Sequence, residues 1–388
     1  MADKVRITFI ITDLRTGGAE MMLHKLLISI NRDRFIPRVI SLVGLGTVGE
    51  KIKASGVPVR SLGMRPALPN PVLLFRLSSW LREDAPDLVQ TWMYHADLIG
   101  GLAARMAGVS QILWGIRNHT LDPIDTKRST IWTARASARL SNWLPVRIVA
   151  NSQSARRTHE DLGYESGKMV VIPNGFNLNT FKPDPTARSS LKAELGLSSE
   201  ACLIGLFARD DPMKDHKTFI QAAGIIAKLN PTAYFVLCGS GVTHQNEKIV
   251  ASLTEAGVEN RFHLLGQRDD MPRLTAAMDI SVVSSYGEAF PNVIGEAMAC
   301  AVPVVVTNVG DLPLIIGQAG RVVPPRDAQA MASAWQELLD LPDTEREKLG
   351  NIARQRVEDY YSMDVVSALY ETLYEKILMG EKVLEGEG

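Results

Sequence analysis

DISVVSSYGEAFPNVIGEAMACAVPVVVT, residues 279 to 307, holds one complete strand-helix-strand unit. Asp279–Ser284 is a short apolar run of strand length, Asn292–Cys300 reads as a helix, and Pro303–Thr307 is a second run rich in β-branched residues. Strands joined through a helix lie parallel with a right-handed crossover. Short apolar or β-branched runs of this kind read as buried parallel strands, so the sheet they enter is expected to carry helices on both faces.

The same rhythm extends in both directions. Cys202–Phe207, Tyr234–Cys238, Arg261–Leu265 and Gly320–Val323 supply further strands around this unit, with a helix over Asp215–Leu229. Upstream, Val5–Ile11, Arg38–Val43, Val57–Leu62, Asp87–Thr91, Gln111–Gly115, Arg147–Ala150 and Met169–Ile172 form an earlier series. The pattern breaks after Pro173-Asn174-Gly175 and passes through Phe181-Lys182-Pro183-Asp184-Pro185. The expected architecture is α/β, with two Rossmann-like, doubly wound parallel sheets. The expected division is 1–179, 180–361, and a closing helix with its tail over 362–388. Helices are expected at Ala328–Leu339, Thr344–Tyr361 and Met363–Met379.

A chain of 388 residues fits two domains, and 46% hydrophobic with 22% charged residues is ordinary globular composition. No apolar run approaches the ~20 residues of a membrane span, and no signal-peptide pattern opens the chain, so a cytoplasmic protein is expected. Cys202, Cys238 and Cys300 are odd in number and scattered among apolar residues, which argues for plain buried thiols. The net charge is −1, and no nucleic-acid partner is expected. It conceals an asymmetry: residues 1 to 165 carry 22 Lys and Arg against 14 Asp and Glu, and the remainder is acidic.

Open α/β sheets bind ligands beyond the carboxyl ends of their strands. There, Glu288-Ala289-Phe290-Pro291-Asn292-Val293-Ile294-Gly295-Glu296 leads from strand to helix. Pro291 suits a first helical turn, and the free amides of Phe290, Pro291's neighbour Asn292, and Val293 create a helix start able to hold a diphosphate. Glu288 before that point and Glu296 two turns up the helix could each grip a hydroxyl. Read alone, two acids beside a helix start also fit ordinary dipole complements. Arg209 and Lys214 follow another strand, where two cations can neutralise a diphosphate, or else pair with Asp210, Asp211 and Asp215. Gly17-Gly18 opens a helix at Ala19 without the full dinucleotide fingerprint, and Gly239-Ser240-Gly241 fits a tight turn.

Among the histidines, His95 and His119 lie just past strands. His24 fits packing inside a helix, and His159, His216, His244 and His263 show no convergent partners. No metal site is suggested, since Asp269-Asp270 is adjacent and lacks a D-x-D spacing. From Thr126 to His159 there is no acid, while Lys127, Arg128, Arg135, Arg139, Arg147, Arg156 and Arg157 are basic among apolar Ile131, Trp132, Leu140, Trp143 and Leu144. The stretch 127–147 fits an amphipathic segment at an anionic membrane surface, a helix packed on its sheet, or a seat for a phosphate-bearing acceptor.

Together these residues resemble the family 4 retaining glycosyltransferases, which have the GT-B fold of two Rossmann-like domains facing across a cleft. Glu288 to Glu296 resembles their E-x7-E motif. Support comes from Gly17-Gly18-Ala19-Glu20, Val171-Ile172-Pro173-Asn174-Gly175, Arg209 with Lys214, Leu265-Gly266-Gln267, and Val306-Thr307-Asn308-Val309-Gly310. Ala208 stands where the family usually has Gly, and Asn118 departs from many relatives.

The resemblance implies that Glu288 bonds hydroxyls of the transferred sugar, that Glu296 holds the ribose, and that Arg209 and Lys214 stabilise the departing diphosphate. Gly17, Gly18, Phe290, Pro291, Asn292 and Val293 would assist, and the backbone of Leu265 would meet the base. His119 matches the family's active-site histidine, with His95 and Arg117 as acceptor-side candidates. It also implies front-face substitution and a last helix crossing back onto the first domain. A UDP-sugar donor is favoured over GDP, with no cofactor or metal. The acceptor is expected to be a saccharide or lipid-linked molecule, in cell-surface polysaccharide or glycolipid synthesis. Competing readings are a nucleotide-sugar epimerase or hydrolase, or a non-catalytic sugar-nucleotide-binding protein.

Overall fold

The computed structural model describes residues 4–65, 70–118, 121 and 126–381. The chain divides into two compact units, Met1–Gly175 with Met363–Gly388, and Phe176–Ser362. The first change falls at 175/176, four residues before the expected 179/180. The cause is Phe176, which is fully buried in the second unit's core, donates its amide to Tyr361 O and bridges to Ser362. The second change falls at 362/363, one residue after the expected 361/362.

Unit 1 contains strands β1 (Val5–Ile11), β2 (Phe35–Ser41), β3 (Val59–Ser61), β4 (Leu88–Trp92), β5 (Ile112–Ile116), β6 (Arg147–Ala150) and β7 (Met169–Val171). Its helices are α1 (Gly18–Ser29), α2 (Gly46–Ala54), α3 (Pro71–Asp84), α4 (Tyr94–Met106), α5 (Arg128–Leu140) and α6 (Gln153–Asp161). The sheet is parallel throughout, in the order β3-β2-β1-β4-β5-β6-β7. β4 and β5 are buried at every position, as strands covered on both faces must be.

β2 starts at Phe35, three residues before the expected Arg38, and tolerates Pro37 for a local reason. Val39 N donates toward β3, to Pro58 O, so the nitrogen of Pro37, two residues earlier, faces the same side. β3 pairs only from Val39 onward and does not reach it, so no ladder bond is lost.

Unit 2 contains β8 (Cys202–Phe207), β9 (Ala233–Cys238), β10 (Phe262–Leu264), β11 (Ile280–Val283), β12 (Val304–Thr307) and β13 (Gly320–Val323). Around them lie α7 (Ala187–Glu194), α8 (His216–Leu229), α9 (Glu247–Ala256), α10 (Met271–Ala276), α11 (Asn292–Ala299), α12 (Leu312–Ile316), α13 (Ala328–Asp340) and α14 (Asp343–Tyr360). This parallel sheet runs β10-β9-β8-β11-β12-β13.

α15 (Met363–Leu378) belongs to unit 1. It buries Met363, Val366, Tyr370, Leu373, Tyr374 and Ile377 among α1 and sheet residues, and Tyr374 OH donates to Gln90 Oε1. At about 1.5–3 kcal/mol for each large apolar side chain fully buried, this helix is a substantial part of the unit's core. Each sheet has one apolar cluster on either face. The sheet orders reverse between β1 and β4 in unit 1, and between β8 and β11 in unit 2. Those two points define where ligands belong.

Candidate active site

The loops after β8 and β11 meet at the unit 2 switch point. After β8, Asp211 caps a single 3-10 turn, Pro212–Lys214, by accepting from the Met213 amide at 3.0 Å. Asp215 follows in the left-handed region (φ 49, ψ 53) and caps α8 by accepting from Thr218 N and Thr218 Oγ1. This tightly specified turn carries the Lys214 ammonium to 2.5 Å from Glu288 Oε1. Glu288 is 8% exposed and also accepts from Ser285 Oγ at 2.7 Å. Ser284 Oγ donates to Lys214 O, Tyr286 N to Met213 O, and Thr307 Oγ1 to Ser285 O, so the ends of β8, β11 and β12 interlock.

Arg209 takes the local partner: its Nε and Nη2 donate to Asp211 Oδ2 at 3.1 and 2.5 Å. Burial pushes the Asp211 carboxyl up, but the Met213 amide and the Arg209 guanidinium hold it below its usual range. Exposed pairs of this kind contribute at most about 1 kcal/mol. Arg209→Ala is therefore expected to leave the melting temperature within a few degrees, which calorimetry would check.

Two glycines hold the loop in shape. Gly310 has φ 54, and a Cβ there would stand 2.0 Å from Glu288 O. Gly295, in α11, would place a Cβ 2.2 Å from the Phe176 ring. Phe290 stacks on Phe176 and meets Tyr361 edge-on, so only its backbone is available to a ligand. Pro291 is extended (φ −72, ψ 121) and acts as the N-cap, so α11 starts at Asn292. Glu296 thus stands little more than one turn into the helix, not two. Val293 and Glu296 are half-buried.

On the other side of β8, the Gly239-Ser240-Gly241 turn is stitched to the Arg209 loop by Asp210 N donating to Ser240 O and by Asn246 Nδ2 bridging Asp210 Oδ2 and Gly241 O. Leu265 follows β10 with its amide bound to Leu237 O, which leaves the carbonyl for any backbone contact to a base. Asp270 is held by Arg268 and Arg273, which keep its carboxyl well below the usual range.

Residues 16–180 match the family described as Glycosyltransferase Family 4, and residues 201–341 match glycosyl transferases group 1. The chain belongs to the family 4 glycosyltransferases. It is 26% identical over 269 residues to the UDP-Gal:alpha-D-GlcNAc-diphosphoundecaprenol alpha-1,3-galactosyltransferase of Escherichia coli, covering 67% of each chain. It is 30% identical over 235 residues to a D-inositol 3-phosphate glycosyltransferase of Kineococcus radiotolerans, covering 55% of this chain and 53% of that one. The chain thus spans about half the length of that second relative. Among solved structures, HepE of Anabaena in complex with UDP superposes with a TM-score of 0.84 at 25% identity, covering 96% of this chain and all of that one. The fold class is that of the GT-B glycosyltransferases.

In unit 1 of this glycosyltransferase, Gly17 is the N-cap of α1, which starts at Gly18, one residue before the expected Ala19. The Glu20 carboxylate lies where a Gly17 side chain would stand, 2.3 Å from an added Cβ, and burial pushes it up. His95 is the second residue of α4, half-buried, with burial lowering its pKa so that it is neutral at pH 7. It follows Met93, a non-glycine residue at φ 74, ψ 153, a conformation that persists only where the surroundings enforce it and that clusters at functional sites. His119 lies outside the described residues.

Arg117 does not fit an acceptor contact, because it is 9% exposed and clamped. Its guanidinium donates to Asn174 Oδ1 at 3.2 Å and to Tyr370 OH at 2.5 Å, and lies 3.7 Å over the Trp92 ring. His159 does have convergent partners: it is fully buried, 2.7 Å from Tyr94 OH, and edge-on to Tyr164. Sequence reading missed this cluster because its members lie 65 residues apart and no motif links them. His24 is half-buried within α1.

Asp97, fully buried in the first turns of α4, accepts from Thr91 Oγ1 and Gly115 N, and burial pushes it up to about 8. Folded, it holds its proton at neutral pH; unfolded, it does not. This group's contribution is therefore complete below the ordinary carboxylate range of about 4 and is lost as pH rises toward its folded value. Melting curves at about pH 5 and pH 8 should show unit 1 losing stability with rising pH, and Asp97→Asn should shrink the difference.

Proposed function

We propose that this glycosyltransferase moves a hexosyl unit from a uridine diphosphate sugar to a saccharide or lipid-linked acceptor, with retention and without a metal cofactor. The observation that carries the reading is the Lys214–Glu288 pair at the β8/β11 switch point. A carboxylate and an ammonium engaged with each other are ready to be exchanged for a ligand carrying both hydroxyls and a diphosphate. On donor binding, Lys214 and Arg209 turn to the diphosphate, the start of α11 adds its amides, and Glu288 accepts from the sugar hydroxyls. Glu296 holds the ribose, and Leu265 meets the base through its carbonyl.

In the transfer itself, the bond from the anomeric carbon to the phosphate oxygen breaks while the acceptor oxygen bonds to the same face. The acceptor proton passes to the departing phosphate oxygen. No side-chain nucleophile takes part, and rate comes from charge stabilisation at the leaving group and from positioning. His119 is the candidate active-site histidine, and His95 is the acceptor-side candidate. The reaction takes place in the cytoplasm, in polysaccharide or glycolipid synthesis, with the acceptor at an anionic membrane surface. The UDP complex of HepE and the lipid-linked acceptor of the Escherichia coli relative support these choices.

The test is a donor screen followed by product analysis. A UDP-sugar at 100 times its Kd should stabilise the protein by about 2.7 kcal/mol, with the GDP-sugars giving no shift. Transfer should persist in EDTA and keep the anomeric configuration, read by NMR. Inversion, or sugar released or isomerised as fast as it is transferred, would sink the reading.

A further inference from the structure

The exposed side of α5 carries Arg128, Trp132, Arg135 and Arg139 at spacings of four, three and four, which places them on one face. The opposite face, Ala134, Ser137 and Ala138, is buried. Trp132 is 72% exposed. Trp143, in the turn beyond the helix, is 55% exposed under the Arg105 guanidinium, which donates to Trp143 O and Leu144 O. α4 lies against both α5 and α3. The first turns of α3 expose Val72 (64%) and Phe75 (61%) beside Arg76. Among the described residues of unit 1, the exposed aromatic side chains are therefore Phe75, Trp132 and Trp143, all on the layer α3 to α5.

That layer is also free of exposed acid over most of its extent. There is none from Asn70 to Arg82 or from Thr126 to His159, and Asp97 of α4 is buried. Asp84, at the end of α3, is bound by Arg38. Lys127, Arg128, Arg135 and Arg139 form no ion pair among the described residues, whereas Arg6, Arg15, Arg34, Arg38, Arg60 and Arg156 of the same unit each do.

We propose that α5 and the first turns of α3 form a docking face for a bilayer containing anionic lipid, with Trp132, Trp143, Phe75 and Val72 entering the headgroup boundary and the arginines binding lipid phosphates. A protein partner with an apolar surface would leave the arginines without counter-charge. A nucleic acid would need the cations but not Val72 and Phe75. Tryptophan and arginine on one exposed face suit the headgroup boundary, where indole rings and cations both find partners. The face includes α3, well outside the acid-free stretch 127–147.

The test is flotation of the full chain with phosphatidylcholine vesicles, with and without phosphatidylglycerol, at low and high salt. It uses neither donor nor acceptor, so its outcome is independent of the transferase reading. Binding should require phosphatidylglycerol and weaken with salt. The triple variant Arg128→Gln, Arg135→Gln, Arg139→Gln should lose roughly 100-fold in partitioning, at about fivefold per cation. Trp132→Ala with Trp143→Ala should bind more weakly while keeping the wild-type melting temperature. The proposal is overturned by absence of binding at low salt, by wild-type partitioning of the triple variant, or by a face that captures DNA or a second copy of the chain in place of lipid.

Discussion

Glu288→Gln should lower kcat/KM by a factor of about 10² to 10³, which is roughly 3–4 kcal/mol of lost transition-state stabilisation. The amide still accepts from Ser285 Oγ, so the loop after β11 keeps its hydrogen bond. What is lost is the negative charge 2.5 Å from Lys214 Nζ. The lysine side chain is only 21% exposed, so leaving it beside a neutral amide also costs stability, about 1–2 kcal/mol, below the full cost of breaking a deeply buried pair. A structural role and a catalytic one separate in a double-mutant cycle with Lys214→Met. If the pair only braces the loops, the double variant recovers both stability and turnover. If both groups act on substrate, the double variant recovers stability and stays inactive, and that is the expected result. Recovery of turnover would refute the proposed roles of Glu288 and Lys214.

Arg117→Ala should be the most destabilising of these substitutions in unit 1, by about 3 kcal/mol. It removes two charge-assisted hydrogen bonds, to Asn174 and Tyr370, and the stacking on Trp92, and it opens a void beside three buried side chains. For a unit of this size the melting temperature should fall by roughly 6–10 °C. Arg117→Lys should rescue little, because an ammonium cannot keep the planar stack and both bonds together. A variant that melted normally and had lost only acceptor affinity would restore the acceptor role that the sequence suggested for this residue.

These two residues mark where sequence reading works and where it stops. The position of Glu288 was legible because it is local: a strand, a turn and a helix start lie within twenty residues, each with its own composition signal, while the role proposed for it comes from the family resemblance. Its pairing with Lys214 was not, since the two lie 74 residues apart and meet through sheet order. Arg117 also follows a strand, at a position where ligand contacts are common, and nothing nearby in the chain announces Asn174 or Tyr370. The strands themselves read well because buried parallel strands are short apolar runs, and β2 starts three residues early because Pro37 is tolerated beside a short neighbour. Gly295 and Gly310 look like any other glycines until the Phe176 ring and the Glu288 carbonyl are seen against them. The helix start at Asn292 was legible, and four residues from it to Glu296 make little more than one turn, with Pro291 extended as its N-cap.

Unit 1 is closed by α15, the last helix of the chain, whose Val366, Tyr370 and Tyr374 complete a core begun by Ile7 and Phe9. During synthesis this reverses the usual order of events. Unit 2 has all of its residues once Ser362 leaves the ribosome, and Phe176 and Ser362, its two ends, pair with each other. The first unit to be translated must wait, with an open apolar face over α1, until the final helix emerges. Translation that stops short of Met363 should therefore release a finished second domain tethered to an unfinished first one, a substrate for chaperones and proteases.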